Sequence, residues 1–154
     1  MRRGLLALLL FCHGEVAAEV VGRVVAIQDG DTLTILDAAK RQHKIRLVGI
    51  DAPERKQAFG KRSWQSLAQI CAAKEARVEE KGKDRFGRLI GAVTCAGVDA
   101  NAEQVRRGLA WVYTRYVPMG SPLYELEAYA RLRQLGLWRD AQPVAPWEWR
   151  ASKR

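Results

Sequence analysis

Apolar and polar positions fall into strand-like runs early in the chain and again after its middle, with helical patterns between and after them. Val20 to Ile27 is rich in β-branched residues, Asp29-Gly30 supplies turn chemistry, and Thr32 to Leu36 alternates, which predicts a strand pair. Lys44 to Ile50 alternates basic or small residues with apolar ones and predicts a third strand. Asp51-Ala52-Pro53 ends that run, because a residue before proline is pushed out of the helical region. From Lys61 to Ala73, Trp64, Leu67, Ala68 and Cys71 stand at helical spacing and predict one amphipathic helix.

Two further strands are predicted at Ala76 to Lys81 and Leu89 to Thr94, separated by Gly82-Lys83-Asp84-Arg85-Phe86-Gly87-Arg88, a charged turn bounded by glycines. Asn101 with Gln104 three residues on reads as a capping box for a short helix ending before Gly108. A last helix is expected from about Leu123 to Gln134, with Gly136 as its stop. Three strands, a helix, two strands and two helices make a small α+β plan compatible with a five-stranded barrel. The Pro/Trp-rich basic tail over residues 143–154 is expected to pack back on the domain at 19–142, since two exposed tryptophans on a free tail would be unusual.

The first residues change the setting. Arg2 and Arg3, the apolar run Leu5 to Phe11 and the small residues Val16-Ala17-Ala18 have the layout of a signal peptide over 1–18, so the protein is expected to be exported, periplasmic or secreted. The apolar run is too short for a membrane span, and no membrane association is expected of the rest. The 154 residues carry 26 Lys and Arg against 17 Asp and Glu, and only Arg2, Arg3 and Glu15 fall in the leader. The basic excess therefore belongs to the folded part and favours polyanionic partners. Removing the leader leaves Cys71 and Cys95; compartment and even count favour a disulfide between them, two separate buried thiols being the alternative.

Candidate chemistry centres on carboxylates and arginines. If the segments of Asp31 and Asp51 are neighbours, both carboxylates can reach one hard divalent cation, although Asp31 taken alone reads better as a turn residue. Arg46 points to the face opposite Ile45 and Leu47, where it is either a surface arginine or, with Arg88 nearby, a bidentate phosphate ligand. Glu54, three residues beyond Asp51, can activate a water from the same loop. With His13 in the leader and His43 at a strand start, a histidine-based metal or nucleophile mechanism lacks material, and neither mature cysteine sits in a catalytic motif. Trp111 and Tyr113 share a strand face and serve either packing or base stacking.

Four ordered segments resemble the thermonuclease (staphylococcal-nuclease-like) family: V-V-A-I-Q-D-G-D-T-L-T-I over Val24 to Ile35, I-R-L-V-G-I-D-A-P-E over Ile45 to Glu54, D-R-F-G-R over Asp84 to Arg88, and N-A-E-Q-V-R-R-G-L-A-W-V over Asn101 to Val112. The resemblance implies a five-stranded OB-type β-barrel with three helices and a Ca²⁺-dependent phosphodiesterase acting on DNA and RNA and leaving 3′-phosphates. It assigns Asp31 and Asp51 as side-chain ligands of Ca²⁺ and the Ala52 carbonyl as a third, where the family often has threonine. It makes Arg46 and Arg88 the phosphate-clamping arginines and Glu54 the general base or the residue that orients the attacking water. Arg85 and Tyr116 match positions near the bound nucleotide, and Phe86 stands where tyrosine is frequent. No stable protein partner is expected, and the chain is expected to act as a monomer. The rival reading is a non-catalytic OB-fold module binding single-stranded nucleic acid, which predicts missing catalytic charges; here each one is present.

Overall fold

The computed structural model describes residues 18–153. Apart from Ala18, the expected leader lies outside the described residues. Five strands form the scaffold: β1 (Glu19–Ile27), β2 (Thr32–Asp37), β3 (Gln42–Leu47), β5 (Glu75–Lys83) and β6 (Leu89–Cys95). Three two-residue strands accompany them, β4 (Ile50–Asp51), β7 (Val98–Asp99) and β8 (Trp111–Val112). The order β3-β2-β1-β5-β6 runs antiparallel throughout and closes through a parallel β3–β6 pairing, giving the five-stranded OB-type barrel.

Alternation puts one face of each strand inside. In β6, Leu89, Gly91, Val93 and Cys95 are buried while the residues between them are only partly covered. Leu33, Ile35, Ile45, Leu47 and Val78 complete the interior, each essentially inaccessible. Burial of each such side chain stabilises the fold by about 2 kcal/mol before the opposing chain entropy is counted.

The third strand ends earlier than its hydrophobic pattern suggests. Gly49 adopts a positive φ of 75°, which turns the chain after Leu47, so Ile50 and Asp51 leave the barrel and pair with Val112 and Trp111 instead. That turn lifts Asp51 off the sheet toward the functional end of the molecule.

Helix α1 (Gly60–Cys71) covers the barrel and is tied to β6 by a Cys71–Cys95 disulfide with the Cα atoms 5.1 Å apart. Its buried face includes Ser63 and Ser66 rather than Trp64, because both hydroxyls find partners: Ser63 Oγ donates to the Leu109 carbonyl and Ser66 Oγ accepts from Arg107. Helix α2 (Ala100–Arg106) is capped by Asp99, whose carboxylate accepts from Ala102 N, and not by Asn101. Asn101 is instead a buried cross-link, accepting from Val93 N and donating to the Val48 carbonyl. Helix α3 (Pro122–Leu132) starts at a Ser121 cap and is followed by a 3-10 turn over Gly136–Arg139.

The tail docks on the domain. Helix α4 (Pro146–Ala151) lays Trp147 parallel to Tyr113, centroids 5.4 Å apart, and edge-on to Trp111 at 5.7 Å. Trp111 in turn meets Trp138 edge-on at 4.5 Å, and Arg131 lies 3.9 Å over the Trp138 ring. Trp111 and Tyr113 therefore serve packing. Among the described residues no helix is long and apolar enough to cross a membrane.

Candidate active site

Three polypeptide turns converge at one end of the barrel. The β1–β2 turn is fixed by Asp29, whose Oδ1 accepts from Asp31 N at 3.0 Å, and by Gln104, which donates to the Gly30 carbonyl at 2.6 Å. Gly30 permits the approach to α1: a Cβ there would lie 1.8 Å from Ser63 Oγ and 2.8 Å from the Ala52 side chain. Asp31 is thereby set beside the loop that follows β4. Its Oδ2 accepts from Ala52 N at 2.6 Å, and its Oδ1 accepts from the Thr32 hydroxyl at 3.0 Å.

Asp51 arrives from β4 with only 1% of its surface exposed, and Asp31 is 5% exposed. Arg46 joins them. One guanidinium nitrogen lies 3.0 Å from Asp51 Oδ1 and 3.3 Å from Asp31 Oδ2, while the other donates to the Leu47 and Ile50 carbonyls at 2.9 and 2.8 Å. Two backbone acceptors and two carboxylates hold the fork in one orientation. Burial pushes the Asp51 carboxyl up, against bonds from Arg150 and the charge of Arg46, with Asp31 adding to the rise. Asp29 is raised to about 6, first by burial and then by the neighbouring charge of Asp31.

Glu54 follows Pro53 and opens a tight loop in which Gln57 N donates to the Glu54 carbonyl at 2.8 Å and Gln57 Oε1 accepts from Glu54 N at 3.1 Å. Gly60 makes room for that loop, since a Cβ there would fall 1.9 Å from the Glu54 carbonyl oxygen. The Glu54 side chain is 41% exposed and faces the same site as Asp51, because Arg150 touches both.

Arg88 stands apart from the carboxylate cluster. In the parallel register Ile45 lies beside Leu89 and Arg46 beside Ile90, so Arg88 and Arg46 occupy the same outer face of adjacent strands. Asp84 organises the turn before β6: its Oδ1 accepts from Phe86 N and Arg88 N, and its Oδ2 from Arg88 Nε at 2.6 Å. Burial pushes the Asp84 carboxyl up, but these Arg88 and backbone bonds outweigh it and leave it lowered. Holding Arg88 by Nε leaves the forked end of its guanidinium available for another acceptor.

Arg85 and Tyr116 are not gathered into the cluster. Arg85 is exposed with its guanidinium 4.8 Å over the Phe86 ring, and Tyr116 is 63% exposed, edge-on to Tyr113. Both stand at the surface.

Arg150, which sequence reasoning did not single out, belongs to the site. It donates to Asp51 Oδ2 at 2.6 Å, to Asp51 Oδ1 at 3.3 Å and to Glu54 Oε1 at 2.9 Å. The signal was indirect, limited to the expectation that the Trp-rich basic tail packs back on the domain.

The donor set is oxygen only. Among the described residues no group of three or more His, Cys, Asp or Glu could hold a metal ion by side chains alone. Two buried carboxylates, both oxygen donors, would suit a hard cation and do not suit a thiophilic metal.

The chain matches the family model for staphylococcal nuclease homologues over residues 44–140. It is 42% identical over 149 residues to an "uncharacterized endonuclease" of Escherichia coli, covering 96% of both chains. It is 39% identical over 158 residues to a "micrococcal nuclease" of Shigella flexneri, covering 96% of this chain and 90% of the relative. A "staphylococcal-like nuclease" of Arabidopsis thaliana is 34% identical over 132 residues, 86% of this chain and 39% of the plant protein. With a closed five-stranded barrel, the buried Asp31–Arg46–Asp51 cluster at its end and two bacterial relatives matched over at least nine-tenths of their length, the chain belongs to the staphylococcal nuclease family.

Proposed function

We propose that this nuclease is an exported, Ca²⁺-dependent enzyme that hydrolyses DNA and RNA to products bearing 3′-phosphates. The observation that carries the reading is the convergence of Asp31, Asp51 and Arg46 in a buried cluster with Glu54 at its rim. Asp31, Asp51 and the Ala52 carbonyl would hold the cation, which when bound supplies charge neutralisation at a phosphate oxygen.

The chain's own residues account for the remaining requirements. Arg46, fixed by the Leu47 and Ile50 carbonyls, presents a preorganised positive charge that needs no rearrangement as negative charge builds on the phosphate. Arg88, anchored through Nε, offers two further N–H groups from the adjacent strand. Glu54, partly exposed, accepts the proton of a water as its oxygen bonds to phosphorus; the bond from phosphorus to the 5′ oxygen breaks, and that oxygen leaves as a hydroxyl after taking up a proton. Arg85 and Tyr116, both exposed, would contact the nucleotide in this reading.

Export is supported by the basic-apolar-small pattern of the first 18 residues and by the Cys71–Cys95 disulfide, a bond that persists in oxidising compartments. The decisive assay incubates the protein with single-stranded DNA and with RNA in Ca²⁺ or chelator and analyses the ends produced. Cleavage in Ca²⁺ alone, with 3′-phosphate ends, is expected. Binding without cleavage under every metal tried would replace this reading with a nucleic-acid-binding module.

A further inference from the structure

Helix α4 brings a second arginine to Asp51, and the two are held differently. Arg46 comes from the barrel wall and is tied to two carbonyls, with 15% of its side chain exposed. Arg150 comes from the rim, is 40% exposed and bonds only to Asp51 and Glu54 among the described residues. Its anchor is the helix: Trp147 stacks on Tyr113, and Gln57 Nε2 donates to the Val144 carbonyl at 2.6 Å. The guanidinium can therefore leave the carboxylates by side-chain rotation while α4 stays docked.

Both oxygens of Asp51 accept from arginine, and among the described residues Oδ2 accepts from Arg150 alone. A divalent cation using Asp51 needs that oxygen, and two positive centres cannot share it closely at a site shielded from water. Arg46 is fixed, so Arg150 is the one to yield. We propose that Arg150 is a further residue of the active site, which sets its cation affinity by competing with the metal for Asp51 and holding Glu54 until the metal binds. The inference rests on the reading of Asp51 as a cation ligand. It makes α4 an integral part of the nuclease site.

Calorimetric titration of Ca²⁺ into the wild-type protein, Arg150→Met and Arg150→Lys tests this without any substrate. Arg150→Met, which keeps the apolar stem and removes the charge, is expected to bind Ca²⁺ about tenfold more tightly than wild type. Arg150→Lys, which keeps the charge without the fork, is expected between them. The Ca²⁺-induced rise in melting temperature should follow the same order. Equal or weaker Ca²⁺ binding by Arg150→Met overturns the competition, since a merely structural arginine would lose affinity when removed. Should Arg150→Met not melt cooperatively, Arg150→Lys decides alone: tighter binding than wild type supports the proposal, and unchanged or weaker binding refutes it. Absence of Ca²⁺ binding in the wild type and all variants would overturn the calcium reading itself and the competition with it.

Discussion

Asp84 illustrates how a single carboxylate orients an arginine side chain. It holds the backbone of the turn through two N–H groups and Arg88 through Nε, so Asp84→Ala is expected to leave the barrel folded and lower the cleavage rate by about 10- to 100-fold, measured under single turnover. Asp29 gives a pH signature. Its carboxyl is raised from 3.8 to about 6, so the folded state holds that proton over a range where the unfolded chain has released it. The contribution is favourable below about 4, falls as pH rises and is lost above about 6. Asp29→Asn keeps the acceptor for Asp31 N, and by urea unfolding in chelator at pH 7.5 it should be more stable than wild type by about 1 kcal/mol. At this scale the sequence was informative where chemistry sits in short motifs. Asp31, Arg46, Asp51 and Glu54 are legible through the resemblance of the motifs that hold them, whereas strand position alone leaves a turn role for Asp31 and a surface role for Arg46 open. Arg150 was not, because its partners lie 99 and 96 residues away and no local period connects them.

At the level of elements, periodicity located the five barrel strands, α1 and α3, and tertiary contacts decided the details. The run through Ile50 reads as one strand, yet Gly49 divides it and gives Asp51 to a separate pairing with β8. Asn101 and Gln104 have capping-box spacing, but both side chains are buried and committed elsewhere, Asn101 to β6 and Gln104 to the β1–β2 turn. Asp99, two residues earlier, caps the helix because only its side chain reaches Ala102 N. The disulfide is an element-level constraint, closing a 24-residue separation between α1 and β6. Cys71→Ala with Cys95→Ala is expected to lower unfolding free energy by about 3 kcal/mol, measured by denaturant titration, by releasing the unfolded chain from that loop.

Across the whole molecule, barrel closure places β3 beside β6 and so brings two arginines from segments 42 residues apart in sequence onto one face. The full sequence carries a net charge of +9, a balance that favours association with polyanions. Substrate binding should weaken steeply as salt rises at saturating Ca²⁺, with a linear log–log slope, because each neutralised phosphate releases counterions. A flat salt titration would mean that phosphate contacts contribute little to binding. The central claim is that Glu54 and Arg88 act on the scissile phosphate of a substrate held in Ca²⁺. Its most direct test is the single-turnover cleavage of single-stranded DNA by wild type, Glu54→Ser and Arg88→Ala at saturating Ca²⁺ and saturating enzyme. Loss of rate by about 10³-fold or more in each variant, with cooperative melting preserved, is the predicted result. Cleavage by either variant at the wild-type rate would contradict the assignment.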